Sequence, residues 1–289
     1  MSQTIVMIHG MFGGSWCWEN YRGFFERRGY RCLTPVLRYH DVDPKDEPHP
    51  NLGTVSLLDY ANDLEQVIRG LDEKPVIIGH SMGGLITQIL GSRGLGGSLV
   101  LLSSAAPAGI SAVTPSVLKS VSTEVLEWGF WRKPIKSTFE STSYSAMHLL
   151  TEEERRAAYN RYVHESGRAF FEIGFSFLDS GKASSIDEKK IDVPMLVVAG
   201  TEDRITPASV NRKIAHKYKD VATYMEFPHH AHWIFGEPGW ETVAGTIHFW
   251  LNQGEADAGD DVAAARADSF SKNPEALKVA VRASQDPDG

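Results

Sequence analysis

The chain has little cysteine and no excess of basic residues, and each shortage excludes a class of protein. Only two of its 289 residues are cysteines, Cys17 and Cys32, and no Cys/His spacing suits zinc. We therefore predict two buried free thiols. The formal net charge of −8 at pH 7 gives no basic surface, so nucleic acid is not an expected partner.

Long apolar runs are also missing. No stretch of about 20 apolar residues occurs, so we predict no membrane span. The first residues, MSQTIVMIHG, lack the basic and long apolar regions of a secretory signal. We expect a cytoplasmic protein.

What is present is a repeated strand and helix pattern, in a chain whose 42% hydrophobic residues can bury a large core. Short apolar runs typical of strands buried on both faces alternate with segments of helical spacing. The runs lie at 4–9, 31–37, 75–79, 98–104, 194–200 and 222–227. This pattern predicts an α/β fold with a mostly parallel sheet of about six strands flanked by helices.

The repeat is interrupted between residues 108 and 190, where aromatic, helix-like segments occur without a strand pattern. We predict a helical cap there, inserted into a core formed by residues 1–107 and 191–253. Residues 254–289 carry acidic side chains in excess over basic ones and few large apolar groups. We predict that this acidic tail lies outside the core.

The segment YHDVDPKDEPHPN (39–51) contains residues that can bind metals, namely His40, Asp41, Asp43 and His49. It lacks the helical spacing or the compact ligand pattern of a metal site. We predict a solvated loop here, and no metal or cofactor for the protein.

The segment GHSMGG (79–84) follows an apolar strand and begins a helical segment. A serine at such a turn can cap the helix, or it can be a nucleophile in the pattern G-x-S-x-G. Glycines on both sides let neighbouring backbone pass closely while the strained serine projects its hydroxyl. We predict that Ser81 is the nucleophile.

A serine hydroxyl needs a base, and the usual base is a histidine oriented by a carboxylate. Acidic residues follow the predicted strand 194–200, in the loop TEDRITP (201–207). Histidines follow the next strand, in the loop PHHAHW (228–233). The required order of serine, acid and base is therefore present.

These motifs, together with HGMFGGSWCW (9–18), resemble the α/β-hydrolase family over roughly residues 4–252. The resemblance implies an α/β-hydrolase fold. It also implies that Asp203 is the acid, with Glu202 in solvent, and that His232 is the base, with Ala231 replacing the usual glycine. The remaining two, His229 and His230, are expected to be solvated or hydrogen-bonded loop residues.

The resemblance further implies an oxyanion hole formed by the backbone amides of Met11 and Met82. Their side chains are expected either in the pocket wall or in the core. The pattern GGSWCW (13–18) is similar to plant methylesterases and the related hydroxynitrile lyases. The lyases carry a lysine after the catalytic histidine and a threonine as the first loop residue, where this chain has Trp233 and Gly10, so cyanohydrin cleavage is not expected.

By this resemblance the chain is expected to be a serine esterase that acts on small-molecule carboxylic esters with an apolar acyl or aryl group. Lactones, thioesters and carbon–carbon bonds of diketones use the same triad, and the sequence does not separate them. A ligand receptor that retains the hydrolase fold is an alternative of another class.

Overall fold

The structure is a computed structural model that describes residues 3–120 and 127–256. Strands and helices alternate along most of these ranges. In chain order the elements are β1 (Thr4–Ile8), α1 (Glu19–Glu26), β2 (Arg31–Leu33), α2 (Leu57–Arg69), β3 (Val76–His80), α3 (Met82–Ser92), β4 (Ser98–Leu102), α4 (Pro115–Ser120), β5 (Pro134–Ile135), α5 (Phe139–Ser145), α6 (Glu152–Tyr159), β6 (Glu165–Ser166), α7 (Gly167–Gly174), β7 (Met195–Gly200), α8 (Ala208–Lys217), β8 (Ala222–Phe227) and α9 (Trp240–Ala256).

Six strands form one parallel sheet in the order β2-β1-β3-β4-β7-β8, which confirms the predicted sheet. Strand β1 lies second from one edge of the sheet, and β2 pairs with it as the edge strand. The chain then crosses to the other side of β1, where β3 and the later strands are added in order. The strand order therefore reverses between β1 and β3. In open α/β sheets this reversal opens a crevice beyond the carboxyl ends of the strands, where ligands bind.

Side chains alternate along each central strand between two apolar cores, one on each face of the sheet. In β1, Val6 and Ile8 pack into one core, while Ile5 and Met7 pack into the other. The middle strands β3, β4 and β7 divide in the same way. Burial on both faces explains why these strands are continuous apolar runs in the sequence.

Strand β2 ends at Leu33 and is therefore much shorter than the predicted run 31–37. Pro35 follows and has no N–H with which to extend the ladder. Two residues later the backbone N–H of Leu37 donates to the ring of His9 instead. The prediction placed the strand correctly but extended it too far.

The described residues between β4 and β7 include four short helices of six to eight residues. This region also contains a strand pair that the sequence analysis did not predict, because β5 and β6 are only two residues long and pair antiparallel. One of the aromatic, helix-like segments of this region, EVLEWGFW (124–131), lies partly outside the described residues. The division into core and cap at residues 108 and 190 stays a prediction.

Helix α9 passes the predicted end of the core at residue 253 and reaches Ala256. The predicted acidic tail therefore begins within this helix, and its residues 257–289 lie outside the described part of the chain. Within the described ranges, no helix has both the length and the apolar character needed to cross a membrane.

Candidate active site

Ser81 occupies the sharp turn between β3 and α3. Its backbone adopts φ 53° and ψ −119°, a strained conformation for a residue other than glycine. A Cβ atom on Gly79 would lie 2.2 Å from the carbonyl oxygen of Gly83, and one on Gly83 would lie 2.2 Å from the carbonyl oxygen of Ile8. The two glycines therefore allow the helix to approach β1 and β3 closely enough to fix the turn.

Asp203 and His232 meet beyond the ends of neighbouring strands, since Asp203 follows β7 and His232 follows β8. The Oδ2 atom of Asp203 lies 2.8 Å from Nδ1 of His232. Both residues are buried, with exposed fractions of 5% and 4%. A carboxylate only accepts hydrogen bonds, so Nδ1 carries the proton, and in the neutral ring Nε2 is left with a free lone pair.

The loop after β7 is built to keep the carboxylate of Asp203 ionised. The backbone N–H groups of Ile205 and Thr206 each donate to Oδ1 at 2.8 Å, and the hydroxyl of Thr206 lies 2.9 Å from Oδ2. Burial alone would raise the pKa of Asp203, but the partner His232 and these N–H donors lower it to about 2. Asp203 is therefore a stable negative charge beside the imidazole.

His80 fixes the backbone of His232, and the sequence analysis did not identify this role. Its Nε2 atom lies 2.8 Å from the carbonyl oxygen of His232, to which it donates a hydrogen bond. Burial and the neighbouring imidazole of His232 hold the pKa of His80 well below its ordinary value, so the ring is neutral. The variable position before the serine thus helps to hold the loop that carries His232.

A cavity lies beyond the carboxyl ends of the strands, with about 660 Å³ of empty space including its open mouth. Ser81 and His232 both line it. Among the hydrogen bonds of the described residues, none joins the Ser81 hydroxyl to the imidazole of His232, and such contacts often tighten only when substrate binds. The wall is largely apolar and includes Met11, Phe12, Tyr162, Phe170, Trp233 and Phe235.

The loop after β1 lies directly against the serine turn. A Cβ atom on Gly10 would lie 3.0 Å from Cβ of Ser81, so a larger residue at this position would press against the serine turn. The backbone N–H groups of Met11 and Met82 have no acceptor among the described residues, which leaves both free to donate to a ligand. The two methionine side chains differ, since Met11 lines the cavity and Met82 packs in the core.

The remaining acidic and histidine residues near His232 do not face the serine. His229 is exposed, and its Nδ1 atom lies 3.4 Å from a carboxylate oxygen of the half-exposed Glu202. His230 is buried, with its Nδ1 atom 3.1 Å from Oε1 of Glu237.

The same Glu237 oxygen accepts the N–H of Ala231 at 2.6 Å, so this glutamate supports the loop that carries His232. In the sequence it belongs to the segment AHWIFGEP (231–238), which also carries His232 and was the available signal for this role.

The predicted solvated loop 39–51 is wrong for His40, which is 4% exposed. Its Nε2 atom lies 3.1 Å from Oε2 of Glu165, a residue of β6 that is fully buried. The error arose because the partner lies 125 positions away in the chain. The described residues contain no group of three or more potential metal ligands, here or elsewhere.

The predicted free thiols are confirmed, since Cys17 and Cys32 are buried and unpaired. Cys17 lines the cavity, but burial raises its pKa to about 12. The thiol therefore stays protonated near neutral pH and is a poor nucleophile.

Comparison with known proteins identifies the family of this chain. The model of the alpha/beta hydrolase family matches residues 5–245. Methylesterase 8 of Arabidopsis thaliana is 33% identical over 92 residues, which are 31% of this chain and 32% of that protein. The chain thus aligns with about a third of the length of the plant methylesterases.

Two further similarities extend over more of the chain. The non-heme chloroperoxidase CPO-A1 of Kitasatospora aureofaciens is 25% identical over 261 residues, covering 82% of this chain and 87% of that protein. The crystal structure of a pyrethroid hydrolase from Sphingobium faniae JZ-2 superposes with a TM-score of 0.67 at 18% identity, covering 89% of this chain and 100% of that one. The second similarity shows the fold alone.

The match over residues 5–245 shows that this chain belongs to the α/β-hydrolase family. The resemblance expected from its motifs is thereby confirmed. Several of the relatives, including Methylesterase 8 and the polyneuridine aldehyde esterase of Rauvolfia serpentina, are named as esterases.

Proposed function

We propose that this protein is a cofactor-free serine hydrolase of carboxylic esters. One arrangement carries the proposal. The strained Ser81 and the imidazole of His232 line one largely apolar cavity, and the ionised Asp203 holds the tautomer of His232. The names of the methylesterase relatives support an ester as the substrate. The apolar wall favours an ester with an apolar acyl or aryl group.

In the first half of the reaction, Nε2 of His232 takes the proton of Ser81 as the Ser81 oxygen attacks the acyl carbonyl carbon. The carbonyl oxygen becomes an oxyanion, which the N–H groups of Met11 and Met82 stabilise. The intermediate then collapses, the bond to the alcohol breaks, and His232 returns the proton to the departing oxygen. An acyl group remains on Ser81.

In the second half, water replaces the alcohol. His232 takes a proton from the water as its oxygen attacks the acyl carbon. The second intermediate breaks the bond to Ser81, and the proton returns from His232 to the serine oxygen. Asp203 stays ionised throughout and stabilises the imidazolium.

The residues between 108 and 190 supply part of the cavity wall, including Tyr162 and Phe170. We propose that they act as a cap that covers the serine and selects the acyl or alcohol group. The expected location in the cytoplasm stays the prediction made from the sequence.

The test is steady-state hydrolysis of p-nitrophenyl esters from acetyl to long acyl chains, together with methyl esters of the preferred acids. Wild type is compared with Ser81→Ala and with Ser137→Ala, which alters a serine of the same cavity that has no part in the mechanism. Turnover should vanish in Ser81→Ala and persist in Ser137→Ala. Full activity in Ser81→Ala would refute the nucleophile assignment.

If no ester is turned over by the wild type, the ester proposal fails. Lactones, thioesters and diketones are then assayed with the same three proteins. Tight ligand retention after a single slow turnover would instead identify a hydrolase-fold receptor.

A further inference from the structure

His9 is buried beside the proposed oxyanion loop, and both of its ring nitrogens are bonded. Nδ1 lies 2.8 Å from the carbonyl oxygen of Gly10, and Nε2 lies 3.1 Å from the backbone nitrogen of Leu37. A carbonyl only accepts and a backbone N–H only donates, so the proton must be on Nδ1. The two partners therefore impose a single neutral tautomer, and burial, together with His40, lowers the pKa of His9 to about 3, which keeps the ring neutral.

The carbonyl that His9 holds belongs to the same peptide group as the N–H of Met11. A peptide group is planar, and no peptide bond among the described residues is cis, so this N–H points away from the Gly10 oxygen. Fixing the oxygen therefore fixes the direction of the N–H. Gly10 and Met11 line the cavity, whereas His9 is not among its lining residues.

The loop requires such a restraint because its conformation is not a relaxed one. Phe12, next to Met11, has φ 63°, which is unfavourable for a bulky residue. Apart from the ring of His9, the Gly10 oxygen has one weaker bond, from the N–H of Gly13 at 3.4 Å. The short bond from Nδ1 is thus the main contact that prevents rotation of the Gly10–Met11 peptide.

The ring of His9 is itself held by hydrogen bonds that continue through the turn at residues 37–40 to Glu165 of β6. Leu37, which donates to Nε2, accepts the N–H of His40 at 3.0 Å, and His40 binds the buried Glu165. The rings of His9 and His40 lie 5.4 Å apart. The turn at residues 37–40 is therefore anchored at one end by His9 and at the other by Glu165.

We propose that His9 is a positioning residue, which orients the Gly10–Met11 peptide so that the Met11 N–H can stabilise the oxyanion. The inference rests on the proposed function, because it assumes that an oxyanion forms at Ser81. It assigns to His9 a contribution to transition-state binding but none to ground-state binding.

The test compares a transition-state analogue with a substrate. An alkyl trifluoromethyl ketone, matched in length to the preferred acyl chain, reports on the oxyanion site. Its carbonyl carbon forms a bond to the Ser81 oxygen, the C=O electron pair moves onto the ketone oxygen, and the serine proton goes to His232. Its inhibition constant depends on the oxyanion donors, whereas KM reports on ground-state binding where acylation is slow.

Three variants distinguish the effect of losing the hydrogen bond from Nδ1 of His9 from the effect of altered side-chain packing. His9→Leu removes both ring contacts, His9→Asn retains an N–H donor near the position of Nδ1, and His9→Gln places its amide near Nε2 instead. Loss of a whole oxyanion donor costs about 10²- to 10³-fold in kcat. We therefore expect His9→Leu and His9→Gln to weaken ketone inhibition and lower kcat by roughly 10- to 100-fold, with KM changed by less than about 3-fold.

His9→Asn should recover most of this loss. If His9→Leu does not fold, the comparison of Asn with Gln still decides, because a purely structural role would affect both alike. Equal ketone inhibition in His9→Gln and wild type would overturn the inference, as would equal losses in the Asn and Gln variants.

A separate control distinguishes failure of the role proposed for His9 from failure of the proposed serine mechanism. Ketone binding to the wild type and to Ser81→Ala is followed by fluorine NMR. A ketone that does not bind the wild type, or that binds both proteins equally, contradicts the serine mechanism itself. Ser81-dependent binding with no effect of His9→Gln contradicts only the role of His9.

Discussion

The buried pair formed by Glu165 and His40 should make a large, pH-dependent contribution to stability. Both side chains are fully buried, and Glu165 also accepts the hydroxyl of Tyr60 at 2.7 Å and the N–H of Ser166 at 2.6 Å. The perturbation is Glu165→Gln, which keeps the shape of the side chain but removes its charge.

Breaking a buried ion pair by removing one partner costs about 3–5 kcal/mol, because the other charge is left uncompensated. The amide of Gln retains an oxygen for Tyr60 or Ser166, and His40 can become neutral, so we expect about 2–4 kcal/mol here. For a chain of this size each kcal/mol lowers Tm by roughly 2–3 °C. The expected decrease is therefore roughly 4–12 °C.

The dependence on pH follows from the two pKa shifts. Burial acts to raise the pKa of Glu165, but its contacts with His40, Ser166 and Tyr60 lower it overall. Its contribution is present above the ordinary value of about 4.3 and is lost as the pH falls through the lowered pKa. Burial acts to lower the pKa of His40, but Glu165 and the nearby backbone raise it overall.

The contribution of His40 is complete below about pH 6.5 and is lost as the pH rises through its raised pKa. The difference in Tm between wild type and Glu165→Gln should therefore be largest between about pH 4.5 and 6.5 and should narrow on both sides.

Thermal unfolding followed by circular dichroism across this pH range is the assay. The control is Glu152→Gln, which removes an exposed ion pair with Arg156 and should leave Tm unchanged. An unchanged Tm in Glu165→Gln, or a decrease that is independent of pH, would refute the reasoning.

Three further predictions concern the active site. Asp203→Asn should lower kcat by roughly 10³- to 10⁴-fold, because the amide does not impose the tautomer of His232 that leaves Nε2 free. Steady-state kinetics measure this loss, and a wild-type rate would mean that another acid orients the imidazole. Gly83→Ala should abolish activity and destabilise the fold, since its Cβ would lie 2.2 Å from the Ile8 carbonyl oxygen; a stable, active variant would contradict the close packing of the turn. Met82→Leu should keep kcat within about 3-fold of the wild type, because only the backbone N–H is proposed to act and the buried side chain is replaced by one of similar volume. A loss of about 100-fold with normal folding would show that the thioether itself has a role.

Local rules predicted the parts of this protein that depend on sequence neighbours. The central strands are buried on both faces, so their apolar runs identified them, and the glycines around Ser81 predicted a strained turn at the end of one strand. The order of Ser81, Asp203 and His232 also pointed to their meeting, because parallel strands place their carboxyl ends at one edge of the sheet. The close approach at the turn is only partly local, because Gly79 meets Gly83 four positions away, whereas Gly83 meets Ile8 of β1.

Contacts between distant segments decided the rest. His40 looked like a residue of a solvated loop because its partner Glu165 lies far along the chain in a strand of only two residues, which is too short to produce an alternating pattern. The role of His80 was hidden for a similar reason, since its acceptor is a backbone carbonyl 152 positions away. The sequence alone determined which strands form and where a serine turn can lie, because backbone preferences and apolar patterning act locally. Only the tertiary structure decided which buried polar groups satisfy one another, because each such pair depends on how distant segments and loops pack.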